Sequence, residues 1–165
     1  MIIKEDDKYK VISENGEVFI DNNYTGMSLY NDSIIATNED MFLLLDLKGS
    51  ILAKCKTLIP IGLDLFIASD KEREINGSLI DDKGNILSND IYVEVLGYEE
   101  FKKVVVKKND GKYAILNEKG EKLLDIEDRA SKVTIFEEDL IRVEFNEEDF
   151  KWINIKGELL PNILR

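Results

Sequence analysis

Five glycines, Gly16, Gly49, Gly84, Gly120 and Gly157, recur 33, 35, 36 and 37 residues apart, and each closes a similar phrase: VISENGEVFI, LLDLKGSIL, LIDDKGNIL, ILNEKGEKLL and WINIKGELLP. A period in the thirties marks a repeat protein. One such unit cannot bury its apolar face alone, so neighbours must stack to build a core.

Within each phrase, apolar residues precede a polar position, two further residues and the glycine, and then resume, which is the pattern of strand, turn and strand. Ser13, Asp46, Asp81, Asn117 and Asn154 stand three residues before the glycines. Their short side chains accept a backbone N–H and fold the chain into an Asx- or Ser-type turn. The glycine then takes a positive φ that a side chain would penalise by roughly 1 kcal/mol or more. Seven residues before the glycine stand Tyr9, Phe42, Tyr113 and Phe150, with Gly77 at that position in the third unit. A ring recurring at one register is expected to pack between successive units, because aromatics bury the most area per position.

Upstream of each aromatic lies a further apolar segment, IIK, SIIAT, LFIAS, KVVVKK or LIRVEF, set off by a polar turn. These are hairpin partners. In the last, Ile141, Val143 and Phe145 alternate with Arg142 and Glu144, as in a half-buried strand. We expect five units, at about 1–29, 30–63, 64–99, 100–138 and 139–165, in one domain, since no Ser-, Gly- or Pro-rich linker interrupts them. No window shows three turns of helical periodicity, although Asp125 to Ser131 could form a single turn.

The fourth unit, NDGKYAILNEKGEKLL, resembles the WG-repeat family, whose pattern runs as glycine, lysine, tryptophan, glycine, two apolar residues, aspartate, two variable residues and glycine. Gly111, Lys112, Tyr113, Ala114, Ile115, Leu116, Asn117 and Gly120 fall in register, with tyrosine for the tryptophan, alanine for the second glycine and asparagine for the aspartate. Elsewhere only the aromatic, the apolar pair, the Asp/Asn and the closing glycine persist. Trp152 falls two residues past the family's tryptophan, whose place Phe150 takes. The resemblance implies a β-rich repeat scaffold of bacterial type with interaction-type function and no catalytic motif.

With 165 residues, 44% apolar and 34% charged, the chain can bury a substantial core without a staple. Cys55 is the single cysteine and forms no internal disulfide. The N-terminus MIIKEDDKYK lacks the basic and apolar regions of a signal peptide, and no apolar run approaches the roughly 20 residues of a membrane helix, so cytoplasmic residence is expected. A net charge of −12 repels nucleic-acid phosphates and anionic membranes. Glu137, Glu138, Asp139, Glu144, Glu147, Glu148 and Asp149 place seven carboxylates in thirteen residues. They are either a surface that captures a basic protein or a solvated edge protected from strand pairing. Lys102, Lys103, Lys107, Lys108 and Lys112, one unit earlier, are placed to neutralise that acidic strand if units stack in order.

The chemical inventory is poor. There is no histidine, which removes the commonest general base, the Ser-His and Cys-His pairs and most transition-metal sites. Cys55 between Lys54 and Lys56 has a cationic setting that would activate a thiol, but an inert crossing residue is the better account. Carboxylate pairs abound, yet none stands out by spacing or apolar setting as a glycosidase dyad would. Asp110 in KNDGK and the run Asn146 to Asp149 are too short for a calcium loop, and each repeat glycine is followed by a strand rather than the helix of a phosphate loop. We therefore expect no catalytic residues, cofactor or metal.

Units of about 35 residues favour an open, β-solenoid-like all-β array over a small five-bladed β-propeller, whose blades take about 40 to 45. The function expected of such a scaffold is protein–protein interaction, specifically an acidic inhibitor or immunity-type protein acting on a basic partner, with Glu147, Glu148 and Asp149 in contact and Phe150 and Trp152 as aromatic anchors. Two alternatives are a carbohydrate-binding or carbohydrate-processing protein and a structural oligomer.

Overall fold

The computed structural model describes residues 1–71, 76–126 and 129–160. Seventeen strands, and no helix beyond one 3-10 turn at Glu99–Phe101, form its regular structure. The first sheet is the meander β1 (Ile2–Glu5), β2 (Lys8–Ile12) and β3 (Val18–Tyr24); the second is β4 (Gly26–Tyr30), β5 (Ser33–Asn38), β6 (Met41–Leu45) and β7 (Ile51–Cys55). The third unit comprises β8 (Thr57–Gly62), β9 (Leu65–Ser69), β10 (Gly77–Asp81) and β11 (Ile86–Tyr98). The thirteen-residue β11 then serves as first strand of the fourth unit, with β12 (Lys103–Lys108), β13 (Tyr113–Asn117) and β14 (Lys122–Ile126), so units three and four share one seven-stranded sheet. Tyr92 is the pivot, paired with Gly77 on β10 and with Lys108 on β12. The last sheet is β15 (Lys132–Glu137), β16 (Leu140–Glu144) and β17 (Phe150–Ile153), with a bridge from Ile153 to Leu159.

Every strand pairing among the described residues is antiparallel, and each unit after the first carries a leading strand ahead of the two hairpin strands read from the sequence. That leading strand (β4, β8, the second half of β11, β15) came at the end of the preceding unit in the sequence division, because apolar runs do not show which neighbour they pair with. The stretch 125–131 lies partly outside the described residues; Asp125 and Ile126 within it are strand.

The five glycine turns share one mechanism. The Asp46 side chain accepts the N–H groups of Lys48 and Ser50, Asp81 those of Lys83 and Asn85, Asn117 those of Lys119 and Glu121, and Asn154 those of Lys156 and Glu158. Ser13, shorter, accepts from Glu17. The glycine N–H donates back to the carbonyl of the polar residue in all five.

Four apolar clusters hold the row of sheets together, one at each junction. Ile20 and Tyr24 meet Ile34 and Leu45; Leu44 and Cys55 meet Leu58 and Phe66; Ile67 and Leu79 meet Val104 and Ala114; Tyr113 and Ile115 meet Val133 and Ile141. Among the described residues no cluster joins the first sheet to the last, so the array is open and the closed ring is not formed. Tyr9, Phe42 and Tyr113 all belong to the cluster shared with the following sheet. In the third unit a Cβ on Gly77 would strike the Ala68 carbonyl, and the large ring comes instead from its cross-strand partner Tyr92.

The repeat glycines face the opposite way. A Cβ on Gly49 would meet Ile20 of the first unit, on Gly84 the Leu52 carbonyl of the second, on Gly120 Leu87 of the third, and on Gly157 Leu124 of the fourth. On Gly16 it would meet nothing within 4 Å. Rings thus reach forward and glycines back. A fully buried ring or branched aliphatic at such a junction contributes about 1.5–3 kcal/mol.

Two predictions follow from the turns. Gly16 and Gly84 share a positive φ, +84° and +79°, so each alanine variant loses roughly 1–2 kcal/mol from the backbone. Gly84→Ala adds the clash with Leu52, and urea denaturation should show it losing at least about twice what Gly16→Ala loses. The second concerns Asp46, whose carboxyl is held below its ordinary 3.8 chiefly by the Ser50 backbone N–H. A depressed folded pKa stabilises above the unfolded value and is lost as pH falls through the folded one. Asp46→Asn, the residue the fourth and fifth turns already use, should fold near wild type at neutral pH and lose less stability than wild type between about pH 5 and about pH 3.

Candidate protein-binding face

The last sheet has two faces. Val133, Ile135, Ile141, Val143 and Ile153 turn to the fourth unit and are buried there, with Phe145 packed partly against them. The alternate residues point away, onto a face that in the preceding units is covered by the next sheet. Thr134, Arg142 and Trp152 stand in one line across the three strands, in direct register. Phe136 lies edge-on to Trp152 with ring centroids 5.1 Å apart, and Phe150 does the same at 6.3 Å. The Arg142 guanidinium lies over the Phe150 ring at 4.2 Å and reaches Glu144 at 3.6 Å. No sheet among the described residues covers this face, and Phe136 and Phe150 are 48% and 39% exposed.

This line carries an unusual polar deficit. Thr134 Oγ1, Arg142 Nε and Trp152 Nε1 are each buried without a hydrogen-bond partner among the described residues. Buried polar groups are nearly always paired, because an unmet donor costs about 1–3 kcal/mol. Two of the three atoms are donors only, so what would satisfy them is an acceptor.

The seven acids are not one cluster. Glu137 ends β15 and Glu138 and Asp139 form the turn to β16, whereas Glu147, Glu148 and Asp149 occupy the turn between β16 and β17 at the other end of the five-residue β16, about 15 Å away. Glu144 sits at the second end, half-buried beside Arg142. Asp139 also accepts the Ile155 N–H and so helps hold the glycine turn of its own sheet. The aromatic and arginine line therefore lies between two acidic turns, and this framing, which depends on strand pairing, was hidden in a linear run of charges.

Lys107 and Lys108 of the fourth unit are engaged within their own sheet rather than by these acids. Lys107 pairs with Glu94, and Lys108 with Asp90 and Asp125, all within their own sheet. Lys122, with Lys108 behind it, holds the Asp125 carboxyl below its ordinary value. Lys103 is buried and its Nζ donates to the Phe101 carbonyl, while Lys102 takes the left-handed backbone that ends the 3-10 turn. Acids on β11 and β14 flank Lys107 and Lys108, so these two do not reach the acidic strand.

Of the other sites weighed, Cys55 is buried at a sheet junction, and burial pushes its thiol up, away from the thiolate a nucleophile needs. It lines a cleft of about 550 Å³ between the second and third units. No group of three metal-ligating side chains occurs among the described residues, and no helix there is long and apolar enough to cross a membrane.

No protein-family model matches the chain, and no curated protein matches it. Solved structures do, in part. The chain is similar to BamB from Moraxella catarrhalis at 13% identity and TM-score 0.44, with 96% of the chain and 59% of BamB covered. It is similar to the C-terminal WD40 domain of Sif2 at 9% identity and TM-score 0.44, covering 92% of the chain and 50% of that domain. The designed Ika8 protein matches at 11% identity and TM-score 0.41, over 90% of the chain and 53% of that protein. The chain thus spans about half the length of these structures.

The unpaired Thr134 hydroxyl yields a test. Thr134→Val removes a buried polar atom without changing shape, so it should leave stability unchanged or raise it by up to about 1 kcal/mol in urea denaturation. A loss of more than about 1 kcal/mol would show that the hydroxyl has a partner in solution.

Proposed function

We propose that the chain is a non-catalytic protein-binding module whose last sheet presents its outer face to a basic protein. The observation that supports this most strongly is the line Thr134, Arg142, Trp152: three buried polar atoms without partners, on a face flanked by exposed rings and framed by two acidic turns. A face serving only as a soluble end cap would carry polar groups that reach water. Tryptophan and arginine are the residues that most often anchor interfaces, and a charged frame steers encounter. The partner offers hydrogen-bond acceptors, such as backbone carbonyls, at the centre and lysine or arginine toward the turns. An inhibitor or immunity-type role against a basic nucleic-acid-handling protein is the finer form of this proposal, and the WG-like phrase of the fourth unit agrees with a repeat scaffold of interaction type. Carbohydrate binding is favoured less, because sugars stack on open ring faces and Arg142 already covers that of Phe150.

Trp152 is the single tryptophan, so its fluorescence reports directly on this face. A partner captured from host lysate and then purified should shift that emission on titration. Trp152→Ala should weaken its binding at least about tenfold, and the triple change of Glu147, Glu148 and Asp149 to lysine should weaken it similarly while removing most of its salt dependence. Matching changes at Asp6 and Asp7, on the first sheet, should leave it unaltered. Unchanged affinity in the Trp152 and triple variants would end the proposal.

A further inference from the structure

We infer that the cleft between the second and third units binds a small aromatic molecule bearing a hydroxyl group, whose ring takes the place that a tyrosine side chain holds at the junctions on either side. One position of the repeat differs here, the residue paired across the strands with the start of each aromatic strand. It is Tyr24 opposite Tyr9, Cys55 opposite Phe42, Tyr92 opposite Gly77 and Ile126 opposite Tyr113. Directly paired residues share a face. All four accordingly turn toward the next unit, and each belongs to the apolar cluster at that junction. Three of the four are large, and Cys55 is the small one.

The missing bulk is visible as space. Tyr24, Cys55 and Tyr92 each line the cleft at their own junction, and these clefts measure about 410, 550 and 320 Å³ respectively. The far wall of the cleft at Cys55 belongs to the third unit. Ile80 packs in the cluster shared with the second unit, and its cross-strand partner Ile86 lines the cleft together with Ile91. These two isoleucines are 64% and 51% exposed. Water against such walls is displaced favourably by an apolar body. A space opened by a missing side chain and lined by hydrocarbon takes up an aromatic molecule of matching size.

The hydroxyl follows from the same comparison. At the next junction the Tyr92 phenol donates to Ser88 Oγ at 2.8 Å. In the cleft, Ser78 stands opposite Ala68, which packs in the cluster of this junction, so the half-buried Ser78 turns inward. Its hydroxyl makes no hydrogen bond among the described residues. A phenol seated on Ile86 and Ile91 gains from Ser78 the bond that Tyr92 has from Ser88. Of the ionic groups along the cleft, Asp70 and Lys71 oppose one another in charge, and Lys54, paired with Leu43, points to the preceding junction. A neutral ligand is therefore favoured over an ion. The site lies at an interior junction and is independent of the last-sheet face.

The test uses p-cresol, the tyrosine side chain as a free molecule, and toluene, its counterpart without the hydroxyl, each titrated calorimetrically into the intact chain. Saturable binding of p-cresol is expected. Ser78→Ala should weaken it by about threefold to tenfold, the worth of one net hydrogen bond, and leave toluene unchanged. Because Cys55 is the single cysteine, its rate of modification by a thiol reagent reports on the same cleft and should fall as p-cresol saturates it. Cys55→Tyr restores the residue of the flanking junctions and should abolish binding, with urea denaturation confirming that the variant is folded, whereas Cys55→Ala should retain it. The Ser78→Ala comparison decides the matter even if Cys55→Tyr folds poorly. Absence of saturable p-cresol binding, an unchanged p-cresol affinity in Ser78→Ala, or binding that persists in folded Cys55→Tyr would overturn the inference.

Discussion

The contact on which this structure depends is the junction between one unit and the next, where a ring of the unit behind packs forward and a glycine turn of the unit ahead lies close on an aliphatic side chain or carbonyl of that unit. The forward ring supplies area and the backward glycine supplies room. Both demands recur about every 35 residues, because each sheet has two faces and neither is buried without a neighbour. Where one demand is met differently, as at Gly77, the volume moves to Tyr92 across the strand pair and the junction is kept. The Asx turns serve the same end by setting each glycine at its junction.

An open row must also have two ends at which this logic is incomplete. At the last sheet the forward ring is Phe150, exposed and joined by Phe136 and Trp152. At the first sheet the backward glycine is Gly16, where a Cβ would meet nothing within 4 Å. The two ends differ in chemistry. One presents a sheet face with buried donors between acidic turns, and the other an edge strand beside an exposed leucine.

Much of this was legible in the amino-acid order. The glycine spacing, the Asx residues three before it and the rings seven before it are local or strictly periodic, and periodicity survives in a linear string. The open array was legible too, through unit length. The leading strands were harder, since a segment such as TLIPIG borders two hairpins and only pairing energies decide which one takes it. The seven acids looked like one patch because sequence distance and spatial distance part company in a strand: its two ends are close in number and about 15 Å apart in space.

By itself, then, the sequence determined that the chain is built of all-β units with glycine turns and recurring rings and contains no histidine, because turn conformation and side-chain inventory are properties of short segments. Tertiary structure decided which lysines spend their charge on β11 and β14 and which donors on β15 to β17 are left unmet. Those are properties of neighbours brought together by strand pairing and sheet stacking, and register across strands is set by the burial of whole faces rather than by any one segment.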